Sequence, residues 1–237
     1  MFYYYGRRKQ IAHLYPKPKY DHIIEPFAGS AAYSMYHAGH REYQVTLIDK
    51  NPNVAEVWQY LINASRQDIL SLPEVQEADD IRKIESLSSA ERKLIGFHIN
   101  PGSSHPCNIV MEASRWGAGQ KYIADNIHRI KEWEFIHGDY TDAPEVEATW
   151  FIDPPFEIGG SHYAFGDIDY KALGDWCKSR SGQVIVCEAD PATWLPFEML
   201  GDDGINNGGL NGGKKRPNLI WSNFLHTKSG TVAYEEW

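Results

Sequence analysis

Long hydrophobic runs are absent. No apolar stretch in the 237 residues approaches the roughly 18 needed for a membrane-spanning helix. The N-terminal MFYYYGRRKQ places aromatic residues before its charges and no apolar segment after them, which is not a secretory signal. Cysteine is sparse: Cys107, Cys177 and Cys187 stand apart with no CxxC pair, which reads as free thiols in a reducing compartment. The ten histidines include no HExxH and no Cys/His grouping at metal-ligand spacing, so no metal is expected. His98, His105, His128 and His137 read as surface or core residues. A GxGxxG turn is missing after the first strand, which argues against a nicotinamide oxidoreductase. Excess positive charge is missing too, since the net charge is −9. No internal repeat is visible.

What is present describes a globular chain. A hydrophobic fraction of 42% and a charged fraction of 23% are ordinary, and the length suits one α/β domain with a small insertion. The acidic balance argues mildly against a nucleic-acid partner, but binding follows local clusters rather than the sum. Three basic clusters stand out: Arg7, Arg8 and Lys9; Lys17 and Lys19; and Lys214, Lys215 and Arg216. Each taken alone reads as a solvated face; together they leave DNA binding open, with strong salt dependence.

Strands and helices alternate along the chain. HIIEPF (22–27) reads as a short buried strand, and AGSAAYSMYHAG as a small-residue turn opening into a helix that stops near Gly39. QVTLID (44–49) is a second strand, and Pro52 opens a helix with Val54, Val57, Leu61 and Ile62 at helical spacing. Regularity weakens over 66–117, apart from a helix near Ala90–His98 capped by Ser88 or Ser89. A further amphipathic helix carries Tyr122, Ile123, Ile127, Ile130 and Trp133. The strand EFIHG, the strand ATWFI (148–152), the helix DYKALGDWCKS and the strand QVIVCE follow. The Gly- and Asn-rich stretch 201–216 reads as a mobile loop, and NLIWSNF and GTVAYEE as closing antiparallel strands. The expectation is a doubly wound, mostly parallel sheet, with 1–65 and 118–237 as one domain and 66–117 inserted in it.

In open α/β sheets ligands bind beyond the carboxyl ends of the strands. The turn after Phe27, then Asp49, Asp139 and Asp153, all sit at such ends. Gly29 permits close backbone approach, and the helix start behind it favours negative charge. Asp49 is placed to accept hydrogen bonds from a ribose diol. Each acid taken alone reads more readily as a cap or turn residue; their recurrence at successive strand ends points to a nucleoside-containing cofactor.

Asp153-Pro154-Pro155-Phe156 is the sharpest signal. Asp-Pro-Pro followed by an aromatic arises by chance in well under ~1% of chains this long. A rigid strand exit accounts for the two prolines but not for the acid and the aromatic around them. Asp153 and the Pro154 carbonyl have the acceptors for a planar amine, and Phe156 has a face on which a base can stack.

The chain resembles the Dam-type, amino-group DNA adenine methyltransferases. The resemblance rests on YYYGRRKQI (3–11), IIEPFAGSAA (23–32), LID (47–49), HGDY (137–140), FIDPPF (151–156) and KKRPNLIWSN (214–223), in the family's order. EPFAGS with DPPF is the specific part. The resemblance implies a Rossmann-like fold, S-adenosylmethionine as cofactor and double-stranded DNA as partner, and no obligate protein partner is inferred. The implied setting is the cytoplasm of a bacterial cell or phage-infected host, as in restriction-modification. Glu25, Phe27, Ala28 and Gly29 would wrap the cofactor, with Asp49 on its ribose and Asp139 and Tyr140 beside its adenine. Tyr5 and Gly6 would lie near its methionine moiety. Asp153, Pro154, Pro155 and Phe156 would hold a flipped-out target adenine, with Tyr163 or Phe165 beyond.

DNA recognition would fall to the insertion, where Asn100, Asn108 and Arg115 (with Ser103 and Ser104) have suitable side chains, and to Arg8, Lys9, Lys214, Lys215 and Arg216. Two departures from the family pattern stand out. Ala31 occupies the second glycine position of the cofactor turn, and Arg7-Arg8 replace Gly-Lys. Transfer to a cytosine amine or to RNA adenine, and a cofactor-binding scaffold without turnover, remain the competing readings.

Overall fold

The computed structural model describes residues 1–4, 10–39, 41–100, 103–158, 160, 163–200, 206–207 and 216–224. Tyr5, Gly6, Arg8, Lys9, Lys214 and Lys215 lie outside them, as does GTVAYEE, and of Arg216 only the backbone is described. Among the described residues the strands are β1 (His22–Glu25), β2 (Gln44–Asp49), β3 (Glu134–His137), β4 (Ala148–Ile152), β5 (Gly182–Ala189), β6 (Glu198–Met199), β7 (Asn206–Asn207) and β8 (Arg216–Ser222). The helices are α1 (Ala32–His37), α2 (Pro52–Asn63), α3 (Arg66–Leu70), α4 (Ser89–Ile99), α5 (Trp116–Asn126) and α6 (Tyr170–Ser179).

The sheet runs β3-β2-β1-β4-β5-β8-β6, with β7 paired to β8 at its edge. β1 to β5 pair in parallel, and β8 lies antiparallel to β5. The chain therefore steps outward from β1 to β3, crosses back to β4 and proceeds the other way. The β1/β4 boundary is the switch point at which a doubly wound sheet opens a crevice.

Period-two alternation divides the strands between two cores. Ile23, Val45, Leu47, Phe151, Ile185 and Cys187 join α1, α2, α4 and α5 on one face. Ile24, Ile48, Trp150, Ile152, Val184 and Val186 join α6 on the other. β4 is buried at all five positions, which is why ATWFI reads as a continuous apolar run.

Local chemistry sets the helix starts. Pro52 occupies the first turn of α2, where no N–H is required, and Asn51 caps it by accepting from Asn53 N at 3.0 Å. Ser88 and Glu91 form a reciprocal capping box on α4, and Asp169 caps α6. Cys107 is partly buried, Cys177 and Cys187 are buried, and all three are free thiols.

Among its described residues, the stretch 66–117 forms no separate core. Ile69, Leu72, Ile81, Leu94, Phe97, Val110 and Trp116 belong to the same cluster as α1 and α2. Side chains tie its irregular parts: Arg92 donates to the carbonyls of Ile81, Ile84 and Leu87, and Gln120 to those of Ile69 and Leu72. Within 201–216, read from the sequence as loop, Asn206 and Asn207 pair with Pro217 and Arg216. Among the described residues, no helix is long and apolar enough to cross a membrane.

Candidate cofactor and target-base site

A cavity of about 290 Å³ opens at the switch point. Its walls come from the exits of four neighbouring strands: Glu25 to Ala32 after β1, Asp49 to Asn51 at the end of β2, Gly138 to Tyr140 after β3, and Asp153 and Pro155 after β4. Tyr4 and the segment 163–169 complete it. Residues far apart in sequence meet here because parallel strands deliver their carboxyl ends to one edge.

The turn after β1 depends on two unusual backbone positions. Gly29 has φ +44°, and a Cβ there would stand 3.0 Å from the Tyr4 ring. Ala31 also adopts the left-handed region, with φ 49° and ψ 52°, as it opens α1. The Ala28 N–H bonds to the Ile48 carbonyl at 2.9 Å, and the Gly29 carbonyl accepts from Trp58 Nε1 at 2.8 Å. Phe27 stacks on Tyr140, with centroids 5.6 Å apart. The turn is thus tied to β2, α2 and the β3 exit at once.

The acids differ in their surroundings. Asp49 accepts from Gly29 N at 2.8 Å and Asn51 N at 2.9 Å, yet its enclosure pushes the carboxyl up to about 6. Glu25, 2% exposed, accepts from Ser34 N at 2.8 Å; burial pushes it up to about 7, and the charge of Asp153 adds to the rise. Asp139 is ion-paired with Lys50 at 2.8 Å. Burial, and then the charge of Asp49, hold the Tyr4 phenol above its ordinary range. Among the described residues lining this cavity, Glu25, Asp49, Asp139, Asp153, Asp167 and Asp169 face one ammonium, Lys50.

Of the residues singled out in the sequence, Glu25, Phe27, Ala28, Gly29, Asp49, Asp139, Tyr140, Asp153, Pro155, Tyr163 and Phe165 line this one cavity. Pro154 is buried and Phe156 packs partly against the larger core; neither lines the cavity. Sequence reasoning passed over Tyr4, Lys50, Asn51, Asp167 and Asp169. Asn51 carried a signal, since Asn before Pro is a helix-cap pattern beside a strand end. Asn100, Asn108 and Arg115 lie on one irregular segment; Asn108 and Arg115 are exposed, and Ile81 N and Val110 N tie the segment to residues 79–81. Among the described residues no grouping of His, Cys, Asp and Glu fits a metal.

Among solved structures, a conserved hypothetical protein of Streptococcus pyogenes aligns at 12% identity over 86% of this chain and 88% of that one, with a TM-score of 0.36. The 23S rRNA methyltransferase ErmE aligns at 11% identity over 92% of this chain and 68% of that one, with a TM-score of 0.40. No curated protein matches the chain. Residues 8–94, which include the EPFAGS turn and Asp49 and end before Asp153, match the family of D12 class N6 adenine-specific DNA methyltransferases, and this match, in agreement with the Dam-type resemblance, supports a methyltransferase.

Proposed function

We propose that the cavity binds S-adenosylmethionine and that the protein methylates the exocyclic amine of an adenine swung out of duplex DNA. The observation that carries this reading is the meeting of the EPFAGS turn, Asp49 and Asp153 in one cavity at the switch point. Its volume is near the lower end of the about 300–1,000 Å³ usual for ligand sites. The donor set suits the cofactor: a sulfonium with an ammonium and one carboxylate is a net cation, and among the described lining residues six acids against one lysine favour a cation. Asp49 keeps a lone pair on each oxygen for the ribose hydroxyls beyond those bonded to Gly29 and Asn51. Phe27 and Tyr140 form an aromatic wall beside Asp139, where the cofactor's adenine would lie.

Bound there, S-adenosylmethionine supplies a methyl carbon on a positively charged sulfur. The target amine is a weak nucleophile because its lone pair is delocalised into the ring. Asp153 would accept a hydrogen bond from the amine, aiming the nitrogen rather than strongly activating it; Pro154, whose carbonyl the sequence offered as a second acceptor, does not line the cavity. As the amine nitrogen bonded to the methyl carbon and the S–C bond broke to release a neutral thioether, positive charge would grow on the nitrogen, and the nearby Asp153 carboxylate would stabilise it and take up the released proton. Stacked duplex conceals the amine, so flipping is part of the proposal.

The acidic mouth repels phosphates. Backbone contacts therefore fall to the basic clusters Arg7–Lys9, Lys17 with Lys19, and Lys214–Arg216; Lys17 and Lys19 are exposed. The test is transfer of tritiated methyl to duplex DNA, to DNA with cytosine as its only amine-bearing base, and to RNA. Label on adenine in the duplex alone supports the reading. Label in either other substrate redirects it, and cofactor binding with no label in any leaves a scaffold.

A further inference from the structure

The two prolines of DPPF remove two backbone N–H donors just where β4 leaves β5, whose last registered pair is Ile152 with Val186. Beyond that point the backbone ladder stops and side chains hold the loop. Glu188, near the end of β5 and 1% exposed, accepts from the Glu157 N–H at 3.2 Å through Oε2. The same oxygen accepts from Trp194 Nε1 at 3.0 Å, and Oε1 accepts from Ala189 N at 2.9 Å. From α6 the Tyr170 hydroxyl donates to the Pro155 carbonyl at 2.7 Å.

We infer that Glu188 is a positioning residue for methyl transfer, its carboxylate holding the Asp153–Phe156 segment through the Glu157 N–H. The inference rests on the methyltransferase reading given above. Glu188 does not line the cavity, so any effect on the reaction travels through the loop. Burial and the neighbouring Asp153 charge push its carboxyl up to about 7. A buried acid disfavoured in this way adds nothing that a neutral acceptor would not add to stability, whereas its second oxygen reaches the peptide that follows the motif. Tyr170 and Glu188 grip adjacent stretches of the loop from α6 and β5, leaving the acid of Asp153 between a fixed strand and a fixed loop.

Three variants at pH 8 test this in single-turnover transfer to duplex DNA, with cofactor affinity measured separately. Glu188→Met keeps the volume but removes both acceptors. It should slow transfer on the order of 10²-fold, the effect of an ångström-scale misplacement, and leave cofactor affinity unchanged. Glu188→Gln can turn its oxygen towards Glu157 and Trp194 and should retain most of the rate. Trp194→Phe removes a donor to the same carboxylate without touching the loop and should also retain most of it. Glu188→Met at the wild-type rate, Glu188→Gln as slow as Glu188→Met, or an equal loss in cofactor affinity would each overturn the inference. Amide hydrogen exchange gives a readout independent of turnover: Glu157 should be protected in the wild type and exposed in Glu188→Met alone. If the wild type transfers no methyl, the functional reading falls, and the exchange result still decides whether the tie exists. An unprotected Glu157 amide in the wild type overturns the tie even if Glu188→Met does not fold.

Discussion

The Gly29 N–H donates to Asp49 Oδ2 at 2.8 Å, fastening the turn after β1 to the end of β2. The acid assigned to the ribose therefore also holds the glycine turn. Its carboxyl titrates at about 6, so it is half protonated at mildly acid pH. A protonated Asp49 loses acceptor capacity. Cofactor affinity should therefore rise as the pH is raised from 5 to 7. Asp49→Asn should weaken binding and remove the part of that rise centred near 6, leaving the part contributed by Glu25 near 7. Calorimetric titration across this range checks it, and an unchanged profile in the variant would take Asp49 out of the site.

Stability should run the other way. Glu25, Asp49 and Glu188 all have carboxyls raised above their ordinary values, to about 7, 6 and 7. Between about pH 4 and 7 the folded protein then holds more protons than the unfolded chain, so stability falls as pH rises through that window. Glu25→Gln keeps the acceptor for Ser34 N and avoids burying a charge. Thermal midpoints from pH 5 to 8 should decline less in this variant and be higher than wild type at pH 8. A wild-type midpoint that climbs with pH would contradict the assignment.

Ala31 accounts for a third expectation. Alanine in the left-handed region carries a strain of roughly 1–2 kcal/mol that glycine avoids, offset in part by about 0.4–1 kcal/mol from the freer unfolded chain. Ala31→Gly should raise unfolding free energy by up to about 1 kcal/mol in urea titration. A loss instead would show that the buried methyl group contributes more than the strain costs.

These cases also show what the sequence could and could not tell. β2 and β4 were legible to the residue, because β-branched and aromatic runs end at an acid or a proline that a sheet cannot continue. The Gly29 turn was legible for the same reason. The conformation of Ala31 was not: the sequence showed only an alanine at a glycine position of the turn, whereas its backbone is left-handed. α3 was missed because five residues cannot display a helical period; only the Ser65–Asp68 capping box announced it. Lys50 directly follows Asp49, and Tyr4 lies within YYYGRRKQI, so their positions were within reach of the sequence; what was not is the Lys50–Asp139 pairing and the packing of the Tyr4 ring over Gly29, which depend on tertiary contacts.

Lys50 supplies the fourth expectation. Its ammonium occupies an oxygen of Asp139 at the place assigned to the cofactor's adenine amine. It is also the one described cation lining an otherwise acidic cavity. Lys50→Ala should free that acceptor and remove repulsion, tightening binding of the cationic cofactor. The pair is solvent-exposed, so the unfolding midpoint should stay nearly unchanged. Weaker binding in the variant would mean that Lys50 itself contacts the ligand.

The most direct test of the central claim is single-turnover methylation of duplex DNA by Asp153→Ala at saturating cofactor, with cofactor affinity measured on the same preparation. Asp153 lines the cavity at the β4 exit and is assigned to the target amine, not to the cofactor. Removing an acceptor whose bond strengthens as charge develops costs about 10²–10³-fold in rate. Asp153→Asn keeps one oxygen acceptor and should retain a measurable fraction. The account predicts that Asp153→Ala binds S-adenosylmethionine as the wild type does and transfers methyl at least about 10²-fold more slowly. Transfer by Asp153→Ala at close to the wild-type rate would contradict it.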